Sequence, residues 1–166
     1  MIPKRNLPPT EVQLLVNTAM AWAEERLRAE GRIPVAAVLL SFKPQNGETP
    51  QPELQTLPDA DDLSIAQQEQ DLTARALARW RTGELQSALL AAPILYGKTG
   101  SGELSEAVRL HIETRAGYCA DVLMPYRVRA AGRWHRNAGN RVHFTHPVAQ
   151  ESDSRFAALP DRAQQD

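Results

Sequence analysis

Residues 106–128 constrain the fold more than any other part of this chain, because apolar and polar side chains alternate there along two consecutive runs. Alternation with a period of two is typical of a strand that has one buried face. Between the two runs lies Arg115-Ala116-Gly117, a three-residue loop in which glycine takes the left-handed position of a bulged turn. The sequence therefore predicts a β-hairpin around this loop.

The loop length determines which residues face each other across the hairpin. A three-residue loop places every apolar pair on one face. Those pairs are Thr114 with Tyr118, Ile112 with Ala120, Leu110 with Val122 and Val108 with Met124. A two-residue loop would shift the register by one residue and set Ile112 beside Asp121, which splits the apolar set between two faces. We therefore expect the three-residue register, with the apolar face turned towards the helices.

The same register collects the potentially reactive side chains on the second face, with His111 opposite Asp121 and Cys119 opposite Glu113. The Cβ atoms of an opposed pair lie about 5 Å apart, close enough for a carboxylate to orient an imidazole. With His143 from a neighbouring strand, the face could form a metal shell or a Cys/His enzyme centred on His111, Asp121 and Cys119. The alternative, which we favour, is an ordinary solvated sheet face with cross-strand ion pairs.

The composition is that of one globular domain. The chain has 166 residues, of which 42% are hydrophobic and only 5% aromatic, so the core must consist largely of aliphatic residues and alanine. Arginines outnumber lysines by 16 to three, which we associate with a GC-rich bacterial genome. A single cysteine excludes an internal disulfide and any CxxC motif. Without a signal-peptide pattern or a long apolar run, we expect a cytoplasmic protein with no membrane contact and no cofactor.

Two amphipathic helices are predicted from apolar residues at helical spacing. The first begins at Thr10, which has the spacing of a capping box with Gln13, and runs for about five or six turns. The second follows Ser64, which repeats this spacing with Gln67. Both helices have a charged or polar outer side, as expected for helices that pack on a sheet.

The remaining strands are predicted from shorter patterns. Residues 35–42 form an apolar run typical of a buried strand, residues 53–57 can return beside it, and residues 142–145 alternate as a last strand. Residues 85–92 are ambiguous between helix and strand, while Pro93 favours an extended segment after them.

This order of elements predicts an α+β fold, in which a mostly antiparallel sheet of about five strands packs against two amphipathic helices. We assign residues 1–150 to a single domain with a long, acidic, proline-rich loop near residues 43–62. Residues 151–166 lack a sustained apolar pattern, and we expect them to form a disordered C-terminal tail.

Positive charge is concentrated in the second half of the chain. Residues 126–141 hold five arginines and no acidic residue, together with Trp134 and His135. Guanidinium groups with interleaved aromatic rings suit the phosphates and bases of a nucleic acid, and guanidinium groups also suit an acidic protein. A solvated surface loop would need no ligand at all.

We therefore favour a small non-enzymatic binding protein whose partner is another protein. Nucleic acid is a less favoured partner, and an enzyme or metal protein is the alternative function. The contact residues that we expect are Arg127, Arg129, Arg133, Trp134 and Arg136. The acidic loop could also fold over the basic segment in the same molecule, or pair with it in a second copy by self-association.

Overall fold

The computed structural model describes residues 9–42, 47–97, 105–130, 139–152 and 155–156. Within these ranges the chain forms two α-helices, a short 3-10 helix and seven strands. The helices are α1 (Thr10–Glu30) and α2 (Ile65–Arg81). The strands are β1 (Ala36–Ser41), β2 (Glu53–Thr56), β3 (Leu85–Tyr96), β4 (Ser105–Thr114), β5 (Cys119–Arg129), β6 (Arg141–Phe144) and β7 (Val148–Glu151). The α+β prediction is confirmed, with more strands than the expected five or so.

The strands form one antiparallel sheet in the order β2-β1-β3-β4-β5-β6. The seventh strand also pairs with β5, so that β7 lies along residues 120–123 and β6 along residues 126–129 of the same strand. Strand β5 therefore carries the hairpin partner β4 and, further along, a two-stranded ribbon with β6. Neither described helix combines the length and the apolar character that crossing a bilayer requires.

The hairpin of β4 and β5 has the predicted register. Ile112 pairs with Ala120, Leu110 with Val122 and His111 with Asp121. Gly117 has a φ of 106°, a value that favours glycine, and closes the three-residue loop. The register is local information, since it follows from the side-chain alternation and from the loop length alone.

Each face of the sheet is covered by one helix, and each has its own apolar core. Helix α1 packs its apolar stripe on the face that carries Val108, Leu110 and Ile112, as expected for the apolar side of the hairpin. Helix α2 packs on the opposite face, where Trp80 is almost completely buried. The central strands are therefore buried from both sides.

The two predicted helix starts differ in outcome. The capping box of α2 is confirmed, because the Ser64 hydroxyl accepts from the Gln67 amide at 3.1 Å and the Gln67 side chain accepts from the Ser64 amide at 2.9 Å. The capping box at Thr10 is wrong. Pro9 occupies the N-cap position of α1, and its carbonyl accepts from the Val12 amide at 3.0 Å. Thr10 is thus the first helical residue and not the N-cap.

The ambiguous residues 85–92 belong to one long strand, β3, which continues through Pro93 to Tyr96. This strand lies between β1 and β4 in the middle of the sheet. Its residues 87–92 all face a core, and a strand that is buried on both faces does not alternate apolar and polar residues. Burial on both faces therefore explains why the sequence of residues 85–92 does not distinguish a strand from a helix.

Two further segments differ from expectation. Glu151 ends β7 and Phe156 is fully buried, so these two residues are not part of a disordered tail; residues 157–166 lie outside the described residues. The described part of the acidic loop, residues 47–62, includes β2, which is the sheet edge opposite β6. Strand β2 therefore lies at the other end of the strand order from the described part of the basic segment, residues 126–130 and 139–141.

Candidate functional site

A polar cluster lies on the face of the sheet that α2 covers, and it is formed by His111 and Glu113 on β4 and by Cys119 and Asp121 on β5. Only 1% of the His111 and Glu113 residues is exposed. This burial corrects the expectation of a solvated sheet face. The sequence could not show it, because the cover comes from residues that are distant in the chain.

The His111 ring is held between two carboxylates. Its Nδ1 atom lies 2.6 Å from Asp121 Oδ1, and its Nε2 atom lies 2.7 Å from Glu113 Oε2. Each of these hydrogen bonds needs a proton, and a neutral imidazole supplies only one N–H. The three groups therefore share two protons. Because both ring nitrogens face carboxylates, His111 is not oriented as a base for Cys119.

The C-terminal segment closes the cluster. The backbone amides of Arg155 and Phe156 donate to Glu113 Oε2 at 2.7 and 3.1 Å, and the Cys119 thiol donates to the Ser152 carbonyl at 3.2 Å. The Phe156 ring stacks on Trp80 with centroids 5.6 Å apart and lies 6.2 Å from the His111 ring. The residues that cover the cluster, Ser152, Arg155 and Phe156, thus belong to the stretch for which the sequence predicts a disordered tail.

Three residues of the cluster could hold a metal ion. One ligand atom each of His111, Glu113 and Cys119 lies within 4.8 Å of the others. Asp121 contacts the far side of the imidazole, and its side chain is 27% exposed. His143, which the sequence analysis considered as a further ligand, lies elsewhere, on β6 opposite Arg127.

A second candidate site is the exposed side of the ribbon formed by β5 and β6, which we call the basic face. It consists of Arg127, Arg129, Arg141 and His143. Arg127 pairs with His143 and Arg129 pairs with Arg141 across the two strands, and a groove of about 430 Å³ lies between these side chains. Among the described residues, no acidic side chain forms an ion pair with this face.

The other side of the ribbon is apolar and packs on α1. Tyr126 and Phe144 lie there in edge-to-face contact, with centroids 6.2 Å apart. Burial, with a smaller contribution from the Glu106 carboxylate, raises the pKa of Tyr126 to about 12. The Tyr126 and Phe144 rings therefore belong to the core and do not lie on the basic face.

The ribbon is fixed at its base to the end of α1. The Asn140 amide donates to the Arg28 carbonyl at 2.9 Å, and its side chain donates to the Leu27 carbonyl at 3.1 Å. Gly139 has a φ of 69°, and a Cβ atom there would lie 2.9 Å from the Arg28 carbonyl oxygen. Only glycine fits so close to the helix end.

The predicted contact residues divide into two groups. Arg127 and Arg129 lie on the basic face, as described above. Arg133, Trp134 and Arg136 lie outside the described residues, between Ala130 and Gly139. Arg141 and His143 complete the basic face, because residues two apart on a strand such as β6 point to the same side.

Comparison with protein-family models, with curated proteins and with solved structures finds no significant match to this chain.

Proposed function

We propose that this protein is a non-enzymatic binding protein of the bacterial cytoplasm, whose basic face binds an acidic segment of a partner protein. The observation that carries the proposal is the opposition of Arg129 to Arg141 and of Arg127 to His143 on one exposed face. Like charges directly opposite each other destabilise a strand pair by a few tenths of a kcal/mol up to about 1 kcal/mol. A bound carboxylate would offset this cost.

The chemistry of the face favours a protein over a single-stranded nucleic acid. Arginine binds carboxylates through two parallel hydrogen bonds. Arg127, Arg129 and Arg141 all line the groove of the basic face. Binding of single strands relies on aromatic rings that stack on bases. Tyr126 and Phe144 face the α1 core instead.

The edge position of β6 supports an extended peptide as the bound segment. Among the described residues, β6 pairs only with β5, so its outer edge can accept a further strand. Addition of a strand at an open sheet edge is a common mode of peptide recognition, in which backbone hydrogen bonds give affinity and side chains give specificity. An acidic strand beside β6 would place its carboxylates over Arg141 and His143.

The test is fluorescence polarisation with a labelled peptide rich in glutamate and aspartate. We expect the double variant Arg127→Glu/Arg129→Glu to bind this peptide at least about tenfold more weakly, because two charge-assisted hydrogen bonds are lost. The control is Arg75→Glu/Arg81→Glu, which makes the same change in net charge at two exposed residues of α2. The control should keep the wild-type affinity within about twofold.

Other results would contradict the proposal or would change the class of partner. An equal loss in the control would mean that only net charge matters, and no binding by the wild type would contradict the proposal outright. Tighter binding of an oligonucleotide of the same charge, with a steeper salt dependence, would identify a nucleic-acid-binding protein. Dimers that dissociate only in the Arg127→Glu/Arg129→Glu variant would identify a second copy of the chain as the partner. The reversal Arg133→Glu/Arg136→Glu tests the residues outside the described ranges in the same assay.

A further inference from the structure

The polar cluster is a candidate binding site in its own right, independent of the basic face. We propose that His111 Nε2, a Glu113 carboxylate oxygen and the Cys119 thiolate bind one divalent transition-metal ion, and that zinc is the ion that this donor set suits best. Zinc is borderline-soft and accepts imidazole, thiolate and carboxylate ligands together. Calcium and magnesium, in contrast, prefer a shell of oxygen atoms alone.

The distances in the cluster are compatible with such an ion after small side-chain movements. Tetrahedral zinc, with bonds of about 2.0 to 2.3 Å, holds its ligand atoms about 3 to 4 Å apart. One ligand atom each of His111, Glu113 and Cys119 already lies within 4.8 Å of the others. The 2.7 Å contact between His111 and Glu113 would open by about half an ångström when the ion replaces the shared proton.

Asp121 is placed as the partner that orients the histidine ligand. Its Oδ1 atom lies 2.6 Å from His111 Nδ1, so the proton of a neutral ring resides on Nδ1 and the lone pair of Nε2 points towards Glu113. A carboxylate that holds the distal nitrogen of a metal-bound histidine is a recurrent feature of zinc sites. Asp121 is therefore a positioning residue and not a ligand.

The charges of the cluster also favour a dication. Only 1% of the Glu113 residue is exposed, and a buried carboxylate or thiolate carries a desolvation cost that an opposite charge offsets. The two charges of the ion would neutralise both ligands. The amides of Arg155 and Phe156 bind the same carboxylate, so the ion would also tie the C-terminal segment to the hairpin. We infer a structural role, because Phe156 covers the cluster.

The experiment is a titration of the full chain with Co²⁺, followed by displacement with Zn²⁺, in a buffer without added thiol. We expect one equivalent of Co²⁺ to bind and to give thiolate-to-cobalt absorption in the near ultraviolet, which Zn²⁺ then abolishes. At a hundredfold excess of Zn²⁺ over its dissociation constant, the melting temperature should rise by about 5 to 10 °C.

Three variants locate the ion. Cys119→Ser should lose the charge-transfer absorption, because no thiolate remains. Asp121→Asn should keep the absorption but bind Co²⁺ about 10 to 100 times more weakly, as loss of an outer-shell carboxylate does. The control is His143→Ala/His146→Ala, which removes two exposed histidines outside the cluster and should leave the affinity unchanged.

The proposal fails if the wild type binds no stoichiometric Co²⁺, if Cys119→Ser retains the absorption and the affinity, or if only the His143→Ala/His146→Ala control loses binding. The last outcome would show a surface histidine site. Glu113→Gln and His111→Ala are informative only where circular dichroism shows that they fold, and the two milder variants keep the test decisive without them. Peptide binding by the basic face is tested separately, with the arginine variants given above, so the two proposals can fail independently.

Discussion

The polar cluster and the basic face share strand β5, but they compensate charge in opposite ways. In the cluster, both nitrogens of His111 contact carboxylates, and Glu113 also accepts two backbone amides. On the basic face, Arg129 stands opposite Arg141, with no described acidic residue in an ion pair with either. Among the described residues, the charged groups of the cluster have partners within the molecule, whereas the arginines of the basic face have no ion-pair partner.

This difference indicates what each region does. A buried group that has lost its partner is strongly destabilising, whereas an exposed charge costs little when it is alone. The cluster should therefore govern stability, and the basic face should govern binding. Substitutions that affect one property without the other are the sharpest way to test this division.

The largest effect is expected for Glu113→Ala. Removal of the carboxylate leaves His111 Nε2 and the amides of Arg155 and Phe156 buried without their acceptor. We expect the free energy of unfolding to fall by about 3 to 5 kcal/mol, as in other broken buried pairs. Urea denaturation in the presence of a chelator measures this loss without any metal contribution.

The matched control is Glu106→Ala, which removes an exposed carboxylate from the same strand. Its free energy of unfolding should stay within about 0.5 kcal/mol of the wild-type value. If Glu113→Ala were also this mild, the cluster would not govern stability and the comparison would have to be abandoned.

The hairpin shows how much a sequence can predict when the information is local. Alternation along β4 and β5 and a single glycine, Gly117, were enough for the register, and with it for the contact between His111 and Asp121. The burial of that contact was not predictable in this way. It depends on Phe156, which lies beside the His111 ring and stacks on Trp80 of α2, and both rings come from distant parts of the chain.

An intermediate effect is expected for Gly139→Ala. This glycine has a φ of 69°, and the added Cβ atom would lie 2.9 Å from the Arg28 carbonyl oxygen. Strain of this kind costs about 1 to 3 kcal/mol. Since the clash separates the base of the ribbon from α1, we also expect weaker binding of the acidic peptide in the polarisation assay.

Gly83→Ala separates the two contributions. Gly83 also has a positive φ, of 80°, but a Cβ atom there would have no neighbour within 4 Å. This control should show only the backbone cost, about 1 kcal/mol, with unchanged peptide binding. Equal effects of the two substitutions on peptide binding would mean that contact with α1 does not hold the basic face in place.

The parts of the fold that the sequence predicted poorly are those in which the usual patterns are absent for physical reasons. Strand β3 is covered on both faces, so it reads as a continuous apolar run. Strand β7 has four residues, and Phe156 is a single aromatic residue in a polar stretch, so neither produces a periodic signal. The same holds for the metal-capable cluster, since Glu113 gains its significance only from the residues that cover it.

The smallest effect is expected at a third kind of site, where charges are exposed but paired within the molecule. Arg79 bridges Glu53 and Glu84 at 2.6 Å each, and its hydrogen bonds lower the pKa of both carboxyls below the ordinary value of a glutamate. A lowered pKa in the folded state contributes stability above the unfolded pKa, and this contribution disappears as the pH falls through the folded pKa.

The small stability difference between the wild type and Arg79→Gln should therefore be constant near neutral pH and shrink below about pH 4.5. Denaturation of the wild type and of Arg79→Gln at a series of pH values measures this difference. If the stability difference between the wild type and Arg79→Gln grew as the pH fell, the ion pairs of Arg79 with Glu53 and Glu84 would not be the source of that difference.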